Sequence, residues 1–298
     1  MQAPDFAHPH ALTQAQMREV DFHIDEVTIL NIHSLRGEMV PKEEGAPLNF
    51  DDKRSFVLRV DRGEIGMKSA SLDALMNRYI FGYKGAPLKN LHITMAGAQL
   101  RQEGVMHKIV DIPFTMLANV SADNGWIRIH PTKIDICGIN GQGLLKAVGQ
   151  NLQKMLDLSK AVGVKADKND LLLDPQKILP PPQTELHLTG VRVQGDELVQ
   201  VFDAGRHLPP LPLPREAKSY MYYRGGTLRM GKLLMMDADM EVLDTDDSDP
   251  FDFFIDRYNE ELVQGFSRNQ ADYGLVVYMR DFSDIGMPAK PGEKVAPH

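Results

Sequence analysis

Alternation of apolar and polar residues is the feature of this sequence that most restricts its fold. It is clearest between Ile112 and Val120, where every second residue is apolar, and it recurs at 56–67, 91–95, 127–136 and 186–202. Because successive side chains of a strand point to opposite faces, this period predicts strands of antiparallel sheets with one buried and one wet face. The turn residues Asn124-Gly125 and Gly195-Asp196 tolerate positive φ and predict hairpins.

Three segments carry apolar residues at helical spacing instead. The first, 72–81, has Ser71 as its predicted N-cap and ends at Gly82. The second, 143–158, has an apolar stripe that includes Leu144 and Leu156. A third helix is expected over 252–266. The sequence therefore predicts an α+β fold, in which a long, strongly twisted antiparallel sheet is wrapped around two amphipathic helices, with a C-terminal extension.

Proline-rich runs at 179–182 and 208–214 divide the chain, because proline does not fit the centre of a sheet or a helix. We expect a flexible tail over 1–20, the sheet-on-helix domain over 21–205 and a proline-rich linker over 206–217. A hairpin over 220–244 that turns at residues 223–226, together with a helix, would form the extension 218–284, followed by a tail over 285–298.

Composition excludes several classes of protein. The net charge of −8 argues against a nucleic-acid binder, and the single cysteine, Cys137, excludes an internal disulfide and a thiolate zinc cluster. No apolar run approaches 18 residues, so we expect no transmembrane segment. The N-terminal residues lack the basic start and apolar core of a secretory signal.

Motifs for catalysis or for a cofactor are missing. The sequence has no Gly-x-Ser-x-Gly, Gly-x-Gly-x-x-Gly, Walker or His-Glu-x-x-His motif, and its ten histidines are scattered. The glycine-rich run 138–143 favours a strand-to-helix turn over an anion site. We therefore assign no catalytic residue, no metal and no cofactor, and we do not expect an enzyme.

An acidic run at 244–256 leaves two interpretations open. It lacks the Gly and Glu of an EF-hand loop, because Asp249 and Ile255 stand at those positions. A calcium site of another kind is one interpretation. The pattern favours the other, a solvated loop followed by a helix that begins at Asp249-Pro250.

Methionine, a flexible apolar residue, is abundant, with 16 in the chain. Several lie on the predicted inner faces, where they fit either an adaptable core or a groove for a flexible apolar ligand such as an acyl chain. A second methionine cluster, 221–240, predicts that the extension covers an apolar surface. The residues expected to bind the ligand are Met67, Leu72, Leu75, Met76, Tyr79, Met95, Phe114, Met116, Leu145, Val148, Leu152 and Met155.

The segment 55–202, about half the chain, resembles the tubular lipid-binding (TULIP-like) domains of bacterial envelope proteins. The similarity lies in the strand 56–60, the run Ser69-Ala70-Ser71-Leu72 opening the helix, Pro87-Leu88-Lys89-Asn90-Leu91 leading into paired strands, residues 134–138 leading into the second helix, and the closing hairpin 185–202. The resemblance implies that lipid is held between a helix and a curved sheet.

Three functions follow as hypotheses. The first is a non-catalytic protein that binds lipid or another apolar ligand in the periplasm or at the cell envelope. The second is a structural or accessory subunit that docks onto a membrane or a membrane protein complex. The third is a phospholipase-like lipid hydrolase.

Overall fold

The computed structural model describes residues 12–107, 110–136, 156–212, 217–271 and 274–296. The chain divides into two compact units. The first unit combines 1–65, 181–186 and 203–298, and the second combines 66–180 and 187–202. The second unit is therefore inserted, in chain order, between the two main parts of the first.

The first ten strands are β1 Thr13–His23, β2 Ile29–Pro41, β3 Leu48–Asn49, β4 Phe56–Lys68, β5 Leu88–Ala96, β6 Gln99–His107, β7 Asp111–Asp123, β8 Trp126–Ile136, β9 Val164–Asp167 and β10 Asp170–Leu173. The others are β11 Gln183–Glu185, β12 Leu188–Gln194, β13 Glu197–Asp203, β14 Tyr220–Arg224, β15 Thr227–Met230, β16 Leu233–Met236, β17 Asp239–Asp244, β18 Phe251–Phe254, β19 Phe266–Asn269 and β20 Leu275–Met279. Helix α1 spans Ser69–Ala74 and continues as a π-helical turn over Leu75–Ile80, α2 spans Pro175–Ile178, α3 spans Tyr258–Gln264, and a 3-10 turn spans Phe282–Asp284.

The first unit is built on a mixed sheet in the order β4-β2-β1-β14-β17-β20-β19. Most neighbours are antiparallel, but β17 and β20 run parallel, and β18 pairs with β1 in parallel. Gly37 lets β2 lie close to β4, since a Cβ atom there would be 2.3 Å from the carbonyl oxygen of Arg59. A smaller sheet, β16-β15-β3, places β16 at its edge.

The second unit is built on a sheet in the order β5-β6-β7-β8-β10-β9, in which every pairing is antiparallel. The predicted turn between β7 and β8 is confirmed, with positive φ at Asn124 and Gly125. The β12–β13 hairpin, also predicted, contacts β7 and β8 through β12. Helix α1 and the following π-helical turn pack against β5.

The predicted fold class is wrong in its central feature. Strands account for 53% of the described residues and helices for 10%, so within the described part of the chain no sheet is wrapped around two amphipathic helices. The helix predicted over 72–81 is found, but it begins at Ser69 without a side-chain cap, and Ser71 is not its N-cap. The second predicted helix lies mainly in 137–155, outside the described residues.

Three further expectations, two of them in the C-terminal third, differ from the structure. The start of the third predicted helix is the strand β18, and only Tyr258–Gln264 is helical, because the phenylalanines of β18 pair with β1. The hairpin expected over 220–244 does not turn at 223–226: β14 pairs in antiparallel with β17 at the far end of this range, and with β1, while β15 between them pairs with β16 and β3. Residues 13–20, expected in a tail, form most of β1.

Candidate functional site

An apolar cavity in the second unit is the first candidate site. It lies among α1, the sheet, the β12–β13 hairpin and the segment around α2, and its free volume is about 30 Å³. Two of its lining residues are polar, the glutamines Gln102 and Gln200. The lining residues are Met67, Leu72, Leu75, Met76, Ile93, Leu100, Gln102, Met116, Ile127, Ile129, Leu173, Pro175, Ile178, Leu179, Leu198 and Gln200.

The helical wall of the cavity is held by two polar side chains. Asn77 donates from Nδ2 to the carbonyl oxygens of Asp73 and Leu91 and accepts from the Leu91 amide at 2.8 Å. Asp73 accepts from the Ile93 amide and contacts His92 Nδ1 at 2.6 Å. These bonds attach α1 and the π-helical turn, which carry the cavity-lining residues Leu75 and Met76, to β5.

Gln102 is the polar group of interest in this cavity. Gln102 is 4% exposed, and its side-chain Nε2 is buried without a hydrogen-bond acceptor in the described part of the chain. A buried amide donor without an acceptor costs about 1–3 kcal/mol. An oxygen atom of a bound ligand would satisfy it. Gln102 also lines a smaller apolar cavity of about 20 Å³, together with Phe114, Met116 and Leu156.

The structure brings together some of the predicted ligand-binding residues and separates others. Met67, Leu72, Leu75, Met76 and Met116 line the main cavity. Phe114 lines only the smaller one, Met95 is half-buried away from both, and Tyr79 is exposed. The other four, Leu145, Val148, Leu152 and Met155, lie outside the described residues. Contact of any of these residues with a ligand stays a prediction.

A wider cleft lies in the first unit but has different chemistry. It measures about 300 Å³ and is bordered by the loop 40–46 together with Leu12, Thr13 and Thr227. Three charged residues, Lys42, Glu43 and Glu44, line it. A charged, open lining is typical of a water-filled surface cleft, so we do not treat it as the ligand site.

The second candidate site is a group of buried carboxylates in the first unit. Asp244, Asp246 and Asp281 offer oxygen atoms within 4.8 Å of one another, and the three residues are 0%, 7% and 3% exposed. The expectation that the acidic run forms a solvated loop is therefore wrong for Asp244 and Asp246. Lys290 reaches this group, with Nζ at 3.0 Å from Asp246 Oδ2 and 2.6 Å from Asp284 Oδ2.

The three carboxyl groups differ in pKa because burial and hydrogen bonding affect them to different extents. Burial, reinforced by the neighbouring carboxylates, raises the pKa of Asp244 to about 8 and that of Asp281 to about 7. Asp246 is also desolvated, but hydrogen bonds from Ser248 and Lys290 outweigh this and lower its pKa to about 2. Hydrogen bonds to Asp284 and Asp246 raise the pKa of Lys290. Near neutral pH Asp246 is therefore ionised, whereas Asp244 is mostly protonated and Asp281 is partly protonated.

The segment that carries Lys290 is anchored beside the cluster. Arg280 donates from Nε to Glu293 Oε1 at 2.6 Å, and Thr245 donates from Oγ1 to the same oxygen at 3.1 Å. The amide of Lys294 donates to the Thr245 carbonyl at 2.7 Å. Residues 285–296, expected as a tail, thus include several fixed contacts.

Asp281 and Lys290 were not singled out from the sequence. They lie far along the chain from the acidic run, and a lone Asp after β20 or a lone Lys in a proline-containing segment carries no local signal. The pairing of β17 with β20 in parallel brings the ends of both strands, and with them Asp244 and Asp281, to the same edge. A prediction of that parallel pair would have been needed to find the cluster.

Four histidines in the described part of the chain form close pairs with aspartates. His23, His92, His107 and His130 pair with Asp252, Asp73, Asp111 and Asp170, respectively. In the described structure none of these four histidines is hydrogen-bonded to a serine hydroxyl, the contact by which a histidine activates a serine nucleophile.

No helix in the described ranges is both long and apolar enough to cross a membrane. Comparison of the chain with protein-family models, with curated proteins and with solved structures finds no match.

Proposed function

We propose that this protein binds an apolar ligand non-catalytically in the second unit, and that the ligand carries a hydrogen-bond acceptor, as a fatty acid or a lipid ester does. The observation that carries the proposal is the apolar cavity beneath α1 with the unpaired buried Nε2 of Gln102 in its wall. The resemblance of 55–202 to lipid-binding domains agrees with this ligand class. A place at the bacterial envelope is part of the same proposal.

The cavity must open to take such a ligand. A free volume of about 30 Å³ holds about one water molecule, far less than an acyl chain. Met67, Met76 and Met116 line it, and methionine changes rotamer easily because its side chain is unbranched. We therefore expect the ligand to displace methionine side chains rather than to fill a preformed tunnel.

Met76→Trp tests the proposal. The indole would occupy the cavity, so we expect binding of cis-parinaric acid, followed by its fluorescence, to fall at least about tenfold, while overpacking costs about 1–3 kcal/mol of stability. The matched control is Arg78→Trp, which adds the same group on the exposed side of the same helical segment.

A second variant, Gln102→Leu, removes the unpaired donor from the cavity wall. We expect it to weaken binding of the fatty acid, because the ligand loses its hydrogen-bond donor, and to leave the melting temperature no lower, because no existing hydrogen bond is lost.

Measurements on the wild-type protein test whether it binds a lipid at all. Native mass spectrometry and organic extraction of the purified protein should show a bound lipid or uptake of oleate. If the wild type binds neither oleate nor parinaric acid, or if Met76→Trp and Arg78→Trp bind equally well, the cavity is only part of the core and the proposal is wrong.

A second candidate function, docking onto a membrane surface, rests on strand β16. Its Leu233, Leu234 and Met236 are 40%, 50% and 62% exposed on an edge strand, and the exposed cations Arg229 and Lys232 lie on the same hairpin. Elsewhere in the methionine cluster 221–240, the side chains of Met221, Met230 and Met240 are buried in the protein. Exposed apolar side chains beside basic ones suit the surface of anionic lipid.

The double variant Leu234→Glu, Met236→Glu tests this docking. We expect its partition onto phosphatidylglycerol vesicles, measured by co-sedimentation, to fall about tenfold or more, because two apolar side chains lose their burial in lipid. Val263→Glu is the control, since Val263 is 82% exposed on α3. Equal partition of both variants and the wild type would show that β16 does not contact the vesicle.

A further inference from the structure

The buried carboxyl groups of this part of the first unit outnumber the cationic side chains that contact them among the described residues. Asp244, Asp246, Asp281 and Asp284 surround a region whose cationic partner among the described residues is the single ammonium of Lys290. Lys290 Nζ lies 2.6–3.5 Å from oxygens of Asp284, Asp246 and Asp281. Its side chain is 35% exposed, so the group is connected to solvent on that side.

Asp244 is the member that the protein leaves unsatisfied. It is 0% exposed, and its Oδ1 accepts from the Asp246 amide at 3.0 Å. Its Oδ2 is buried and has no hydrogen-bond donor, and no ion pair of Asp244 is found in the described ranges. A fully buried carboxyl oxygen without a partner is rare in native proteins and points to a missing ion or water.

The donor set selects the class of ion. All three clustered groups are carboxylates, with ligand atoms within 4.8 Å of one another. Oxygen donors of this kind bind hard divalent cations, and Ca²⁺ accepts six to eight such ligands in irregular geometry, completing its shell with carbonyls and water. The cluster includes no histidine or cysteine that would favour zinc or copper.

We propose that Asp244, Asp246 and Asp281 form a binding site for a divalent cation, Ca²⁺ in preference to Mg²⁺, which Lys290 occupies as a surrogate charge when the cation is absent. The cation takes the unpaired Oδ2 of Asp244 and oxygens of Asp246 and Asp281 as ligands. Lys290 then leaves Asp246 and Asp281 and keeps its contact with Asp284, its nearest carboxylate. Cation binding and the position of the segment around Lys290 are thereby linked.

Calorimetry on the full chain tests the site. After dialysis against EGTA and removal of the chelator, titration with CaCl₂ should give one saturable site per chain with a Kd below about 1 mM. Ca²⁺ should also raise the melting temperature more than Mg²⁺ does. Asp244→Asn should weaken Ca²⁺ binding at least about tenfold. The control Asp196→Asn, which removes the same charge from an exposed turn, should bind as the wild type does.

Lys290→Gln distinguishes a cation site from a purely internal salt bridge. If Lys290 competes with the cation, this variant binds Ca²⁺ more tightly than the wild type, and Ca²⁺ restores the melting temperature that the substitution lowers. If the ammonium is the only cation the cluster takes, the variant is destabilised and Ca²⁺ restores nothing, which overturns the proposal. This comparison stands even if Asp244→Asn fails to fold. A wild type that shows neither saturable heat nor a thermal shift with Ca²⁺ overturns it as well.

Discussion

Arg280→Met is expected to lower the free energy of unfolding by about 3–5 kcal/mol, because it leaves a buried carboxylate without its counter-charge. The side chains of Arg280 and Glu293 are 10% and 3% exposed, and two guanidinium nitrogens contact both oxygens of Glu293. Arg280 also donates to the carbonyl oxygens of Met287 and Pro288 at 2.9 and 3.3 Å. The substitution keeps much of the apolar volume but removes every one of these donors.

Urea denaturation followed by circular dichroism measures the effect of Arg280→Met. The control is Arg257→Met, which breaks the pair with Glu260, whose side chains are 46% and 45% exposed. Exposed pairs contribute about 0–1 kcal/mol, so this variant should resemble the wild type. Adding Glu293→Gln to Arg280→Met should recover part of the loss, because it removes the unpaired charge. Equal losses for Arg280→Met and Arg257→Met would refute the assigned role of the buried pair.

Glu261→Gln is expected to stabilise the protein by about 2–4 kcal/mol at pH 8 and by less than about 1 kcal/mol at pH 5. Glu261 is 0% exposed, and burial raises the pKa of its carboxyl from 4.5 to about 9. The folded protein therefore retains a proton that the unfolded chain releases, so this group's contribution to stability is lost as the pH rises from about 4.5 towards 9. Glutamine needs no proton, and its Oε1 can still accept from the Phe254 amide, as Glu261 does at 2.8 Å.

Chemical denaturation at pH 5, 6.5 and 8 checks this dependence. The gain from Glu261→Gln should grow steadily across the three values. Glu260→Gln, one residue away on the exposed side of α3, should show no such growth, since its carboxyl pairs with Arg257 at the surface. A gain from Glu261→Gln that is the same at pH 5 and pH 8 would mean that Glu261 is ionised in the folded state.

The strands were predictable where a local pattern determines them. Along β7 the side chains from Asp111 to Ala118 alternate between outer and buried positions, and the Asn124-Gly125 turn fixes the register with β8. The same holds for the β12–β13 hairpin. In each case the partner strand follows within a few residues, so periodicity and turn chemistry are sufficient.

The sequence was misleading where the partner is distant. In β18, Phe253 and Phe254 begin a spacing that also suits a helix, and their strand conformation depends on pairing with β1, near the opposite end of the chain. The acidic run shows the same effect. Its charges suggest solvent exposure, yet the pairing of β17 with β20 buries Asp244 beside Asp281. For the apolar cavity, the helical stripe identified Leu72, Leu75 and Met76, but no local signal identified Gln102.

The division of the chain also determines the order in which its parts become able to fold during synthesis. Most of the second unit is one continuous stretch that leaves the ribosome before the C-terminal third exists. The sheet of the first unit cannot be completed until later, because Gln14 on β1 pairs with Arg224 on β14, and β20, which pairs with β17, is synthesised later still. Until then the β1–β2 hairpin exposes an unpaired edge, which is prone to join other nascent strands. A ribosome that stops near residue 210 would release a chain with this edge open.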